Sequence, residues 1–134
     1  MKICVVGAGA IGGYMAVRLG AAGHDVSVIA RGPHLAAIRR RGLTLIEGDD
    51  ERTIAPAAAT DDLRELGAHD MVLLALKAHQ IEPVAADLAG LLAPGGVIVT
   101  LQNGIPWWYF QKLEGEFAGR VVRAVDPRGV LFET

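Results

Sequence analysis

The sequence predicts an α/β fold: a three-layer α/β/α arrangement around a mostly parallel sheet. Three observations carry this reading. Apolar runs of strand length alternate along the chain with longer stretches of helical periodicity. The first run, Ile3-Cys4-Val5-Val6, leads at once into the glycine-patterned turn Gly7-Ala8-Gly9-Ala10-Ile11-Gly12. A later run, within Asp70–Leu76, is continuously apolar, as a central strand buried on both faces of a parallel sheet is.

At 134 residues, 51% of them hydrophobic, the chain has enough apolar surface for one compact domain, expected over 1–134. A net charge of −2 creates no field toward nucleic acid or an anionic membrane surface, so the expected partner is a small molecule. The single cysteine, Cys4, has no internal disulfide partner and lies in an apolar run, where it reads as core. The opening apolar run is too short for a signal sequence, and no later segment approaches the length of a membrane helix. A cytoplasmic protein is the expectation.

Taken in order, Lys2 to Val6 is the first strand and Ala10 to Ala22 its helix, with Ile11, Met15, Leu19 and Ala22 on one face and Gly23 as the stop. Asp25 to Ile29 is the second strand, and Pro33 marks the first turn of the next helix. That helix ends in Arg39-Arg40-Arg41 before Gly42, where cations suit the negative end of the helix dipole; the cluster reads as a solvated terminus. Leu43–Glu47 and Arg52–Ala55 flank Gly48-Asp49-Asp50-Glu51 as a hairpin with an acidic tip. Asp70 to Leu76 is a central strand, Pro83 opens a helix ending near Leu92, and Pro94-Gly95-Gly96 turns the chain into Val97–Leu101. Beyond Gln102-Asn103-Gly104 stands the aromatic group Trp107-Trp108-Tyr109-Phe110, and Val121 to Val125 is a candidate last strand.

A G-x-G-x-x-G turn between a buried strand and a helix is the Rossmann-type arrangement for a dinucleotide. Gly7 forms the tight turn, Gly9 lets the backbone approach phosphate, and Gly12 lets the helix pack closely. Together with Ala8, Ala10 and Ile11 they would hold the pyrophosphate against the free amides of the helix start. The second strand ends Ile29-Ala30-Arg31-Gly32, with no carboxylate to accept from a ribose 2′-hydroxyl. Arg31 can instead fork onto a 2′-phosphate, so NADP is expected rather than NAD. Lys77 and Asn103 come after the later strands and fall at the same carboxyl edge. Lys77 can meet a phosphate or a substrate carboxylate, and Asn103 either holds a carbonyl or hydroxyl near the nicotinamide or supports the turn before Gly104. His79 and Gln80 can line that edge. His24, His34 and His69 show no ligand spacing, and no metal site is expected. The aromatic tetrad reads as core or interdomain contact, with a place in a substrate pocket left open.

Lys2 to Gly13 as KICVVGAGAIGG, Arg31, Leu76-Lys77-Ala78-His79-Gln80 and Leu101-Gln102-Asn103-Gly104-Ile105 together resemble the N-terminal domain of ketopantoate reductase, also called 2-dehydropantoate 2-reductase. The resemblance runs to about Phe110, and its Lys-Ala-x-Gln and Gln-Asn-Gly pieces are more specific than the glycine turn. It implies an oxidoreductase that passes hydride from NADPH to the ketone carbon of ketopantoate, on the route to pantothenate. It places Arg31 on the 2′-phosphate, Lys77 near cofactor and substrate, and Asn103 at the nicotinamide and substrate as the catalytic candidate. Ile105–Phe110 is like one branch whose substrate is often unassigned, so a 2-keto acid is the safer substrate class.

In this family an all-helical second domain brings the general-acid lysine and further substrate and dimer contacts. These residues hold no counterpart, so the general acid is expected outside them, and the chain alone is expected to bind cofactor without efficient turnover. Residues that would pack on that domain, among Trp107–Phe110 and Val130–Phe132, are expected to be exposed and to favour a homodimer. Two other readings stay open: an isolated NADP(H)-binding module, and the Rossmann domain of a different hydroxyacid or 6-phosphogluconate-type reductase. The last predicts other residues at Lys77 and at Gln102-Asn103-Gly104.

Overall fold

The computed structural model describes residues 1–133. The first apolar run forms β1 (Lys2–Val6), and after it come α1 (Ala10–Ala21), β2 (Asp25–Ile29) and α2 (Gly32–Arg41). A hairpin of β3 (Leu43–Glu47) and β4 (Asp50–Ile54) precedes the short β5 (Ala58–Thr60). Then come β6 (His69–Leu74), α3 (Ala85–Leu88), β7 (Leu92–Thr100) and, after a long stretch of turns, α4 (Val130–Glu133).

Five strands form one sheet in the order β5-β2-β1-β6-β7, and each neighbouring pair runs parallel. The chain builds outward from β1 to β5, then returns to the other side of β1 to add β6 and β7. The strand order therefore reverses between β1 and β6, and the carboxyl ends of those strands frame a crevice.

Alternation along β1 sorts its side chains between two cores. Ile3 and Val5 join Val26, Val28 and Leu73 beneath Ala16 and Val17 of α1 and Leu35 and Ile38 of α2. Cys4 and Val6 join Ile29, Val72 and Leu74 beneath Ile81, Val84, Leu88 and Leu91, with Leu131 of α4 in the same cluster. The sheet thus lies between two layers, as expected. The hairpin forms a separate two-stranded sheet whose Leu43, Leu45 and Ile54 extend the first cluster over α1. Glu47 pairs with Asp50, so the tip shortens to Gly48-Asp49.

Four local expectations change. The helix expected from Pro83 to Leu92 is a chain of short turns, with 3-10 turns at Ala78–Gln80, Glu82–Val84 and Ala89–Leu91 around the four-residue α3. Pro83 cannot donate to a preceding turn, and Gly90 weakens the last turn of the segment. The Pro94-Gly95-Gly96 turn lies inside β7 as a bulge: His69 pairs with Leu92, yet Met71, two residues on, pairs with Val97. A Cβ on Gly96 would lie 2.9 Å from the His69 carbonyl oxygen, so only glycine fits there. β5 has no counterpart among the expected strands, because Ala58-Ala59-Thr60 is too short and too small-chained to show a pattern. Val121–Val125 forms turns, with the Val125 and Asp126 amides both donating to the Val122 carbonyl at 3.0 Å instead of to a sheet.

Candidate functional site

β1 ends in the glycine turn, and α1 begins at Gly9 without a side-chain cap or an acidic residue in its first turn. The Gly7 and Ala8 amides both donate to the Ile29 carbonyl at 3.1 Å. They fasten the turn to β2 and leave the amides at the start of α1, from Ala10 to Gly12, as the donors without intrahelical partners. A Cβ on Gly12 would lie 2.0 Å from the Gly7 carbonyl oxygen, so the close approach of helix to turn requires glycine. A Cβ on Gly9 would meet nothing within 4 Å, which makes that position the open mouth of the turn.

Two clefts meet at this mouth. One, of about 180 Å³, runs from the glycine turn past Ala30, Arg31 and His34. The other, of about 570 Å³, runs from Ala10 and Ile11 past Lys77 to Asn103. Both are lined by Gly7, Gly9, Leu76 and Gln80, so together they form one trough across the switch point. Arg31 stands at one end, exposed, as the residue before the first turn of α2, and Pro33 occupies that turn as expected. Lys77 and Asn103 stand toward the other end, also exposed. His79 is exposed and lines neither cleft.

Two glutamines hold the far end in place. The half-buried Gln102 donates from Nε2 to the carbonyls of Leu74 and Leu76, at 3.0 and 2.8 Å. It thereby ties the segment carrying Asn103 to the segment carrying Lys77. Gln80 accepts the Lys77 amide at 3.1 Å through Oε1 and fixes the backbone there. Sequence reasoning places Gln80 at this edge but shows neither anchoring role, because a side-chain-to-backbone bond leaves no periodic signal. It is equally silent on His34, whose Nε2 donates to the Ala8 carbonyl at 2.7 Å.

The aromatic group splits. Trp107 packs against the second core cluster, edge-on to Trp108 at 4.4 Å, while Trp108 and Tyr109 are exposed. Val130 is exposed and Leu131 buried, so the exposure expected of that stretch holds for part of it. A small hollow of about 30 Å³ beside Asn103 is lined by Ile105, Pro106 and both tryptophans. Cys4 is fully buried and its thiol is pushed up to about 12 by loss of hydration, which keeps it a protonated core side chain. Among the described residues, no helix is long and apolar enough to cross a membrane. No group of three or more His, Cys, Asp or Glu among them could hold a metal ion.

Comparison with known proteins fits this geometry. A 2-dehydropantoate 2-reductase of Mesorhizobium japonicum is 50% identical over 134 residues, which is 99% of this chain and 41% of that protein. The enzyme of the same name from Pyrococcus abyssi is 33% identical over 99% of this chain and 42% of its own length. A crystal structure of a candidate ketopantoate reductase from Ralstonia solanacearum MolK2 superposes with a TM-score of 0.87 at 44% identity, covering 98% of this chain and 40% of that one. A ternary structure of D-mandelate dehydrogenase with NADH and anilino(oxo)acetate gives a TM-score of 0.69 at 27% identity, over 79% of this chain and 35% of that one. The chain spans about two fifths of the length of the curated relatives it matches. The family described as ketopantoate reductase PanE/ApbA matches residues 3–121, and the chain belongs to it.

Proposed function

We propose that this chain is the NADP(H)-binding domain of a ketopantoate reductase-like oxidoreductase, a 2-dehydropantoate 2-reductase that acts on a 2-keto acid in pantothenate biosynthesis. The observation that carries the reading is the single trough with Arg31 at one end, unpartnered helix amides in the middle, and Lys77 and Asn103 at the other. Its chemistry fits the parts of NADPH in order. Arg31 and the uncapped first turn of α2, which has no acidic residue, suit a 2′-phosphate. The amides from Ala10 to Gly12, beside the open Gly9, suit a pyrophosphate.

When bound, NADPH would supply the hydride. The residues of this chain orient the reaction. Lys77 can attract the substrate carboxylate, and the Asn103 side chain can donate to the carbonyl oxygen on which negative charge develops. Gln102 and Gln80 hold those two positions. The resemblance implies a general acid from a helical second domain, so turnover is expected of a protein that carries such a domain beside these residues.

A second reading takes NADH as the coenzyme, on the D-mandelate dehydrogenase relative solved with it. A third makes the chain a binding module without catalysis of its own. Calorimetric titration with NADPH and NADH separates the first two. Micromolar NADPH binding is expected, weakened in Arg31→Ala by about 1.5 to 3 kcal/mol, the net value of a hydrogen bond to a charged group. Equal affinity for both coenzymes in wild type and variant would overturn the NADP assignment. Keto-acid reduction by a longer gene product carrying these residues would exclude the module.

A further inference from the structure

We infer that His34 is a positioning residue for coenzyme selectivity, a strut that fixes Arg31 relative to the glycine turn. The inference rests on the reading of Arg31 given above. His34 is the third residue of α2, and its Nε2 lies 2.7 Å from the Ala8 carbonyl oxygen. A carbonyl oxygen only accepts, so Nε2 carries the hydrogen and donates it. Ala8 is at the same time held from β2, since its own amide donates to the Ile29 carbonyl at 3.1 Å. One residue of the glycine turn is therefore gripped by β2 on one side and by the first turn of α2 on the other.

Apart from the Leu35 amide, which donates to the Arg31 carbonyl at 3.3 Å, that first turn has little else to fix it. No side chain caps α2, Arg31 at its start is extended with φ −131° and ψ 158°, and Gly32 and Pro33 are exposed. The body of α2 is secured separately, through buried Leu35 and Ile38. His34 is itself exposed and forms part of the cleft wall shared with Arg31, so its ring contributes to the site rather than to the core.

The consequence is specific to one coenzyme. A ligand that reaches from the pyrophosphate amides to Arg31 needs those two points at a set separation, and each must be met at once. NADPH carries the phosphate that spans this distance, whereas NADH engages the turn without it. Losing the strut frees the first turn of α2, so the cost falls on NADPH.

Titration of the full 134-residue chain with both coenzymes tests this, using wild type, Arg31→Ala, His34→Ala and the double variant. His34→Ala is expected to weaken NADPH about five- to tenfold, the net contribution of one hydrogen bond, and NADH less than about twofold. Because His34 acts through Arg31, the double variant should bind NADPH no more weakly than Arg31→Ala alone. His34→Gln, which keeps an N–H donor, should recover part of the loss. Melting temperatures should fall by no more than about 5 °C, the cost of one lost hydrogen bond in a domain that stays folded. Equal weakening of both coenzymes, additive losses in the double variant, or no loss in His34→Ala each overturn the inference. If Arg31→Ala leaves NADPH affinity unchanged, the reading of Arg31 falls and this inference with it; if only His34→Ala is without effect, Arg31 keeps its role.

Discussion

The two halves of the trough are built on opposite plans. From Lys2 to Gly42 the chain is regular: strand, glycine turn, helix, strand and helix, each close to where its residues predict it, with β1 buried on both faces. From Ala75 to Glu133 it is a run of short turns around one bulged strand, and Val97, Ile98 and Val99 of that edge strand are each more than a third exposed. The first half is held by backbone ladders and interlocking apolar side chains. The second is held by amide side chains reaching to backbone: Gln102 to Leu74 and Leu76, Gln80 to Lys77, and Gln111 to Phe132 at 2.9 Å. Regular structure thus fixes the Arg31 end of the trough, and individual hydrogen bonds fix the end that carries Lys77 and Asn103. The two halves should accordingly fail in different ways.

The largest failure is expected in the first half. In Gly12→Ala the new methyl would lie 2.0 Å from the Gly7 carbonyl oxygen and 3.0 Å from the Ala75 Cβ, so α1 must lift from the turn. A loss of about 3 kcal/mol or more is expected in chemical denaturation, with nucleotide binding lost alongside. Gly9→Ala sharpens the contrast. Gly9 has an ordinary φ of −72° and open space at its Cβ, so stability should hold within about 0.5 kcal/mol while the methyl blocks the phosphate approach. A Gly12→Ala protein as stable as wild type would show that helix and turn are not in fact locked together.

The second half should yield to loss of a polar group. Gln102→Ala strips the Leu74 and Leu76 carbonyls of a donor in a half-buried place, at a cost of about 2 to 3 kcal/mol. It should also weaken the response to ligands that reach Asn103 more than to adenosine fragments that stop at Arg31. Equal loss for both ligand classes, measured by titration, would mean that the two ends of the trough are not independent.

This contrast also explains how much is legible in the sequence. Strands β1 and β2, the helices after them and the role of Gly12 are legible because each is a local signal: an apolar run, a glycine spacing, a proline at a helix start. Lys77 and Asn103 are legible as positions, since each comes after an apolar run that forms a strand of the sheet. The illegible features depend on partners far along the chain: Gln102 bonds carbonyls 26 and 28 residues earlier, and His34 bonds one 26 residues earlier. The bulge at Pro94–Gly96 is legible as a turn, but its place inside β7 depends on how His69 and Met71 pair.

The smallest effect tests whether the halves also open separately. Cys4 lies in β1 but faces the cluster covered by Ile81, Val84, Leu91 and Leu131, so it is shielded by the irregular half. With its thiol at about 12, it has almost no thiolate at pH 8, and alkylation must wait for an opening that exposes it. If residues beyond Leu101 open alone, hydrogen exchange there should outrun Cys4 labelling, because Ile81 and Val84 still cover the thiol. Labelling as fast as that exchange would mean that the turns from Ala78 to Leu91 lift with the rest, and the whole layer is one unit. The same thiol gives a pH signature. Its folded value is raised from 9.0, so its contribution is fully present below about pH 9 and is lost as pH rises toward 12. Between about pH 9 and 10 wild type should lose about 1 kcal/mol of stability relative to Cys4→Ala, because only the unfolded thiol can release its proton there. A parallel alkaline decline in both proteins would show that the layer over β1 admits water well before the chain unfolds.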